Sequence, residues 1–181
     1  TDPVTVYAYV NNIQSDDFPI DQSDAEQLKR ADILYMPDTL VKPNTAGINV
    51  KFQHIMSKIN LTIELGSEYD FTDKIDQKIT DVKIGGTIVE IAEEEGEVND
   101  IENINIVPEP SGKVKSITPF RTGTTPFSNN AGTITRASAT YEAVLIPQTI
   151  ASGNFFISFK VDGKAYEWYY NEGLTLKATK A

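Results

Sequence analysis

The longest run of alternating apolar and polar residues spans residues 47–65, GINVKFQHIMSKINLTIEL. Its apolar positions are even-numbered up to Phe52 and odd-numbered from Ile59 onwards. Side chains alternate with a period of two along a strand, so one continuous strand would place these two sets on opposite faces. We predict that a β-bulge or a single helical turn over residues 54–58 absorbs one residue. Phe52 and Ile59 are then expected to face the core, and Lys58 to face solvent.

Shorter runs with the same period predict strands along the rest of the chain. They lie at residues 4–10, 31–36, 81–92, 101–107, 114–120, 134–146 and 174–178. Pro37 is expected to end the second of these strands, because proline has no N–H for a sheet ladder. Gly85 and Gly86 predict a bulge or a sharp bend in the third.

Turn and cap signals predict the segments between the strands. Residues 66–80 are polar and predict a connection, and residues 122–132, rich in Thr, Ser, Asn and Gly, predict a surface loop. Ser23 and Glu26 have the spacing of a capping box, which predicts a short helix at residues 24–29.

The clearest local signal is a β-hairpin at residues 155–170. Asp162-Gly163 lies between two apolar runs and is a typical two-residue hairpin turn. Counting outward from this turn predicts three cross-strand pairs on one face: Phe159 with Tyr166, Ile157 with Trp168, and Phe155 with Tyr170. With about nine strands and at most one short helix, the chain is predicted to be an all-β protein with an antiparallel β-sandwich.

Composition narrows the class of protein. The 181 residues suffice for one large domain, or one domain with part of another. A formal net charge of −10 argues against nucleic acid as a partner, since binding phosphates needs clustered Lys and Arg. The chain has no cysteine, which excludes disulfides, thiolate metal sites and cysteine catalysis. Residues 1–3 do not resemble a signal peptide, so we expect a cytosolic protein or an exported one whose leader has been removed.

Residues that carry catalytic or metal chemistry form no recognisable constellation. His54 is the only histidine, so a zinc site would lack a second His or Cys ligand, and no G-x-S-x-G motif is present. A histidine held by hydrogen bonds at a strand kink is the favoured interpretation. The acidic residues at 70–76 and 93–102 do not match a calcium loop, but paired carboxylates of a glycosidase stay open, because their separation is not readable from sequence. We predict no catalytic residue, metal or cofactor, and a structural or binding module rather than an enzyme.

Tyr166, Trp168 and Tyr170 are the candidate residues for a second function. Three aromatic rings on one face of a strand could stack on sugars, as in a carbohydrate-binding module; residues 122–132 are the alternative sugar-binding surface. Their predicted cross-strand partners are themselves apolar, which favours a place in the core. The carbohydrate-binding interpretation requires a flat aromatic surface exposed to solvent.

Four segments carry a family resemblance. They are DQS and ADILY at residues 21–23 and 31–35, VKFQHIMSKI at 50–59, AVLIPQT at 143–149, and LTLKA at 174–178. In this order and spacing they resemble the fimbrillin family of Bacteroidetes surface proteins. The first is similar to the link between that family's two domains, the second to the opening of its second domain, and the last to the approach to its final strand.

The resemblance implies transthyretin-like β-sandwich domains, a lipoprotein leader that this sequence does not include, and display at the cell surface on the outer membrane. It implies a structural or adhesive fimbrial subunit that polymerises with other subunits by strand exchange, or a tip or accessory protein that binds a surface receptor or glycan. Residues 1–30 would be the last strand and linker of a largely missing first domain. Residues 31–181 would be the second domain without its final strand.

Strand exchange requires a sheet edge whose backbone can pair with another chain. Two segments are candidates, and their alternating apolar residues are Val4, Val6, Ala8 and Val10, and Leu174, Leu176 and Ala178. We therefore expect a fimbrial subunit, with a carbohydrate-binding module as the alternative and an enzyme as a distant third.

Overall fold

A computed structural model describes residues 4–10, 18–41, 47, 49–92 and 106–178. These residues form fourteen β-strands, two short α-helices and a 3-10 turn. The strands are β1 (Val4–Val10), β2 (Leu34–Val41), β3 (Gln53–His54), β4 (Ser57–Glu64), β5 (Ile79–Ile88), β6 (Val114–Ile117), β7 (Phe120–Thr125), β8 (Ser128–Asn130), β9 (Thr133–Thr135), β10 (Ser138–Leu145), β11 (Thr149–Ile150), β12 (Phe156–Val161), β13 (Lys164–Tyr169) and β14 (Leu174–Thr175). The helices are α1 (Ala25–Ala31) and α2 (Ile75–Lys78), and the 3-10 turn spans Ser67–Tyr69. The predicted strand at 101–107 lies mostly outside the described residues.

Two antiparallel sheets form the body of the molecule. Their strand orders are β4–β10–β7 and β13–β12–β5–β6. Inward side chains of both sheets meet in one apolar cluster, which includes Ile63 of β4, Tyr141 of β10, Ile79 of β5 and Val161 of β12. A larger cluster contains Ile84 and Leu145 from the same two sheets and Tyr35 from β2. The predicted all-β, sandwich-like architecture is confirmed.

Strand β1 pairs with β2, and β2 pairs with β3, in a third antiparallel sheet. The predicted stop at Pro37 is wrong, because β2 continues through it to Val41. The register shifts between Val6 and Ala8, so that two residues of β2, Pro37 and Asp38, lie opposite one residue of β1. A strand tolerates a residue without an N–H at such a bulge, which explains why this proline does not end it.

Residues 47–65 form two strands in different sheets. Strand β3 ends at His54 beside β2, the chain bends at Met56, and β4 begins at Ser57 beside β10. The expected bulge or helical turn is absent from this described stretch. Ile55, Met56 and Ser57 are all buried, because the chain passes between the sheets at this point. The chain therefore passes from one sheet to another here, and this passage explains why the apolar positions change from even-numbered to odd-numbered.

The residues flanking this bend differ in burial. Ile59 packs against the larger core cluster, and Lys58 is exposed and paired with Glu142 of β10 at 2.9 Å. The expectation that Phe52 faces the core is wrong, since its side chain is 38% exposed. Phe52 precedes β3 and has no strand pairing of its own to direct it inward.

The two glycines in β5 form the predicted bulge. The register between β5 and β6 shifts between Ile84 and Thr87, and Gly86 has a φ of 81°. A Cβ at Gly86 would lie 1.9 Å from the carbonyl oxygen of Asn154, and one at Gly85 would lie 2.1 Å from the Phe156 ring. Only glycine fits at position 86, where the clash is with backbone, whereas a side chain at position 85 would require the Phe156 ring to move.

The hairpin of β12 and β13 has the predicted register. Val161 pairs with Lys164 across Asp162 and Gly163, and Phe159–Tyr166 and Ile157–Trp168 follow as cross-strand pairs. The Tyr170 N–H donates to the Phe155 carbonyl oxygen at 2.9 Å, which continues the ladder.

Helix α1 lies close to its predicted position, but its cap differs. The Asp24 carboxylate accepts hydrogen bonds from the Glu26 and Gln27 N–H groups at 2.9 Å, so the predicted Ser23 capping box is wrong. The segment 66–80, predicted as a polar connection, contains the 3-10 turn and the single-turn helix α2. The structure thus has one more short helix than expected.

The predicted surface loop at residues 122–132 is wrong. Strand β7 continues to Thr125, and β8 forms a small hairpin with β9. β-Branched threonines favour strands even where both faces are wet, and this outweighs the loop-like composition. The long strand predicted at 134–146 is divided between β9 and β10.

Candidate functional site

A groove opens at one side of the sandwich, between β4 and β13. Each is the outermost strand of its sheet in the described part of the chain, since β4 pairs only with β10 and β13 only with β12. The apolar wall between them comes from Leu61, Ile63, Ile157, Phe159 and Trp168, and Thr62 and Glu64 line the β4 rim. We call this the edge groove; its volume is about 410 Å³.

The strand pattern produces the edge groove directly. Leu61 and Ile63 have the same parity on β4, and Ile157 and Phe159 the same parity on β12, so all four point between the sheets. Trp168 is the cross-strand partner of Ile157 but lies on the outermost strand. It is consequently 50% exposed, a large fraction for a tryptophan on the inner face of a sandwich.

The three candidate aromatic residues do not form one exposed platform. The Tyr166 ring stacks on Phe159 at 5.7 Å between centroids, and its hydroxyl bonds to that of Tyr69. This hydrogen bond is the main reason why the pKa of Tyr69 is raised to about 12. Tyr170 packs against the larger core cluster, 5.9 Å from the Trp168 ring centre. Trp168 is therefore the only member of the set with half of its surface accessible.

The two candidate edge segments lie elsewhere on the molecule. Strand β1, with Val4, Val6, Ala8 and Val10, is the outer strand of the sheet β1–β2–β3. Val10 is 41% exposed. At the other end, Leu174 pairs with Ile150, and Leu176 exchanges two backbone hydrogen bonds with Gln148.

A second groove, of about 700 Å³, borders β14. Its lining is mostly apolar and includes Ile55, Pro108, Pro147, Leu176 and Ala178. The Ser57 hydroxyl at the start of β4 donates to the Lys177 carbonyl oxygen at 2.7 Å, which attaches this segment to the bend between β3 and β4. Two of the three candidate residues of segment 174–178 therefore line an apolar concavity.

The single histidine takes part in one polar contact at the bend. His54 Nδ1 lies 3.0 Å from Oδ1 of Asp32, the residue that caps the C-terminus of α1. No group of three or more potential metal-ligating side chains occurs among the described residues. None of the described helices is long and apolar enough to cross a membrane.

Two buried glutamines were missed by sequence reasoning. The Gln22 amide donates to the Val144 carbonyl at 2.8 Å and accepts from the Val144 N–H at 2.9 Å. The Gln148 amide makes the same pair of bonds with Ile88, at 3.0 and 2.8 Å. Each side-chain amide thus makes the pair of hydrogen bonds that a neighbouring strand would otherwise make. Their positions in DQS and PQT could have indicated this role. A glutamine beside an apolar run or a proline has few local hydrogen-bond partners, so if it is buried it must bond to a distant part of the chain.

Comparison with known proteins gives a family match. The family model for fimbrillin-like proteins matches residues 1–181, the whole of the chain. No curated protein and no solved structure gives a significant match. The family match supports a structural role as a fimbrial subunit, at the cell surface and in assembly with other fimbrial subunits. The chain belongs to the fimbrillin-like family.

Proposed function

We propose that this protein joins neighbouring fimbrial subunits by β-strand addition, with the edge groove as the acceptor site. One observation carries the proposal: two strands without an outer neighbour in the described sheets flank an apolar groove. An unpaired edge offers a row of backbone donors and acceptors to another chain, and the apolar wall offers places for every second side chain.

Elementary energetics favour an extended apolar segment as the occupant. Each apolar side chain that leaves water contributes about 1.5–3 kcal/mol, and each backbone hydrogen bond about 0.5–1.5 kcal/mol net. The inserted strand would also cover the exposed half of Trp168. The exposed Glu64 carboxylate at the rim favours a basic residue near one end of the donor.

The chain contains two segments with suitable chemistry for a donor. Val4, Val6, Ala8 and Val10 alternate with polar and aromatic residues, as an inserted strand requires. Leu174, Leu176 and Ala178 alternate in the same way. We propose these two segments as the strand-exchange elements of the subunit; each would leave its own pairing, with β2 or with β11 and Gln148, to add to the groove of a neighbour.

A second candidate function is glycan binding by a tip or accessory subunit. The half-exposed Trp168 ring favours it, because sugars stack on accessible aromatic faces. The engaged positions of Tyr166 and Tyr170 leave a single ring rather than a platform, which supports strand addition as the better explanation of the groove.

Trp168 is the only tryptophan of the chain, so its fluorescence reports directly on the edge groove. Peptides with the sequences of residues 1–12 and 170–181 are titrated into the protein. We expect at least one to shift the emission saturably to shorter wavelength and to protect β4 amides from hydrogen exchange. The same peptide with prolines at alternate polar positions should fail, because it keeps the apolar side chains but loses backbone donors.

Two protein variants provide the controls. Leu61→Lys places a charge in the wall of the groove and should abolish the peptide response, with folding verified by circular dichroism. Tyr169→Ala alters the opposite face of β13. Tyr169 is 46% exposed, close to the 50% of Trp168, and its replacement should leave the peptide response intact. A strictly monomeric protein that responds to neither peptide would refute the proposal. A fluorescence response to a glycan panel alone would support the alternative.

A further inference from the structure

A third concave site lies at the opposite side of the β4–β10–β7 sheet from the edge groove, beside β7. This pocket, of about 320 Å³, is formed by β5, by the connection from β6 to β7, and by β10. Its polar lining residues are Arg121, Tyr141, Lys83, Thr118, Asp81 and Ser23, and Val82 and Pro119 supply the apolar wall. We call it the Arg121 pocket.

Two residues that line this pocket each carry a buried polar atom without a hydrogen-bond partner in the described part of the chain. Among the described residues, only Arg121 Nε and Tyr141 Oη are buried side-chain polar atoms without a hydrogen bond. Both residues line the Arg121 pocket, and they pair with each other across the two strands, Arg121 on β7 and Tyr141 on β10. A buried donor without a partner costs about 1–3 kcal/mol, so two in one place require an explanation.

The charges around the pocket favour an anion. The Arg121 guanidinium donates through Nη2 to the Ile79 carbonyl at 3.2 Å and lies 5.7 Å from the centre of the Tyr141 ring. These contacts orient the cation but leave its charge without a carboxylate partner in the described structure. Lys83 bonds to the Thr118 hydroxyl, a neutral group. The pocket lining thus carries two cations, Arg121 and Lys83, and one carboxylate, Asp81, on a chain whose net charge is −10.

The acidic residues near the pocket offset this charge only in part, with Lys83 within coulombic range of both Asp81 and Asp21. The Asp81 carboxylate is paired with Lys160 at 2.8 Å, and its hydrogen bond from Lys160 lowers the pKa of Asp81. Asp81 also has a left-handed φ of 52° within β5, where the register against β12 shifts. Strained backbone of this kind tends to occur at ligand sites. Asp21 accepts a hydrogen bond from the Ser23 N–H at 3.1 Å, and Lys83 acts on it only as a weaker, longer-range charge.

We propose that the Arg121 pocket binds a small carboxylate that also carries hydroxyl groups, which is the chemistry of a sugar acid. The carboxylate is held by Arg121 and Lys83, with the Tyr141 hydroxyl as a further donor. The Thr118 hydroxyl and the Asp81 carboxylate serve the ligand's hydroxyl groups, and Pro119 and Val82 contact its apolar face. The volume lies at the small end of ligand pockets and admits about one sugar ring.

This site is independent of strand addition, because the pocket and the edge groove lie beside opposite outer strands of one sheet. A subunit that polymerises through β4 would keep the Arg121 pocket open. The pocket would thus give the fimbria affinity for acidic sugars, either free or at the end of a glycan.

The test uses matched ligands. Glucuronate and galacturonate are titrated into the ¹⁵N-labelled full chain. Glucose and galactose are the neutral controls, in which a hydroxymethyl group replaces the carboxylate. A disaccharide ending in glucuronate tests the glycan source. We expect saturable shifts for at least one sugar acid at the amides of Lys83, Thr118 and Arg121, and none for the neutral sugars. Binding of the disaccharide assigns the glycan-terminal source, and its failure assigns the free acid. Equal shifts with a neutral sugar, or none with either acid, would overturn the proposal.

Variants separate binding from folding. Tyr141→Phe removes a hydroxyl that has no hydrogen-bond partner among the described residues. The thermal midpoint should therefore stay or rise while the affinity falls about tenfold or more. Arg121→Gln should abolish binding, whereas Arg136→Gln, a matched loss of charge at the surface ion pair with Asp70, should leave it unchanged. A Tyr141→Phe variant that loses stability but keeps its affinity for the sugar acid would assign this hydroxyl to folding and contradict the proposal.

Discussion

Single buried amides connect distant parts of this fold. Gln22 and Gln148 are 0% and 7% exposed, and each bonds both the N–H and the carbonyl of one strand residue. A backbone strand would normally supply that pair of groups, and no other common side chain offers a donor and an acceptor side by side except asparagine. The segments that precede β2 and follow β10 are thereby attached to the sheets without extending them.

Replacing Gln148 by methionine tests this role at nearly constant volume. The substitution leaves Ile88 N–H and the carbonyls of Ile88 and Ile146 without a side-chain partner. We expect a loss of about 2–4 kcal/mol in the free energy of unfolding, measured by urea titration, because buried unpaired groups cost about 1–3 kcal/mol each and partly find water. Gln77→Met on the exposed face of α2 is the control and should change stability by less than about 0.5 kcal/mol. Equal effects in the two variants would show that the Gln148 bonds contribute nothing.

At the scale of the element, the glycine bulge in β5 brings the sheet against the chain at residues 154–156. Gly86 and Gly132 both have positive φ, at 81° and 85°, but their surroundings differ. A Cβ at Gly86 would meet backbone at 1.9 Å, whereas one at Gly132 would meet nothing within 4 Å. The pair therefore separates backbone strain from a packing clash.

Alanine at each of the two positions should give clearly different losses of stability. Gly132→Ala is expected to cost about 1 kcal/mol, the usual effect of a left-handed alanine. Gly86→Ala should cost about 3 kcal/mol or more, since strand β5 must also move away from Asn154. Chemical denaturation measures both, and the soluble yield of Gly86→Ala is the second readout if that variant does not fold. Similar losses for the two variants would show that β5 relaxes freely around the bulge.

Local signals predicted some elements, and tertiary context decided the others. Asp162-Gly163 fixed the hairpin register, because the turn and the apolar pattern agree on one pairing. Pro37 did not end β2, because a bulge tolerates its missing N–H. The edge groove depends on which strands become outermost, and that property of the sheet order is not readable from period-two patterns. The sequence predicted that Ile157 and Phe159 share an apolar face, and that the odd-numbered positions from Ile59 onwards share another, but not that the two faces form a common site.

At the scale of the whole molecule, residues 18–31 are part of the larger core. Phe18 and Ala31 are buried in the same cluster as Ile84 and Leu145. The Gln22 N–H donates to the Thr118 carbonyl at 2.9 Å, and the Thr118 N–H donates to the Ile20 carbonyl at 2.8 Å. A domain boundary at residue 30 stays a prediction, but these contacts favour a cooperative unit that begins before it.

Native-state hydrogen exchange decides where the cooperative unit begins. If residues 18–31 belong to the sandwich, the amides of Gln22 and Thr118 should exchange only by global unfolding, with the same free energy as Leu145 in β10. The amide of Lys78 in the single-turn helix α2 should exchange at lower free energy by local opening, and serves as the internal reference. Urea dependence distinguishes the two routes, because global unfolding exposes far more surface. If Gln22 instead exchanged as readily as Lys78, residues 1–30 would form a separate linker, and the hydrogen bond from Gln22 to Val144 would open without unfolding the sandwich.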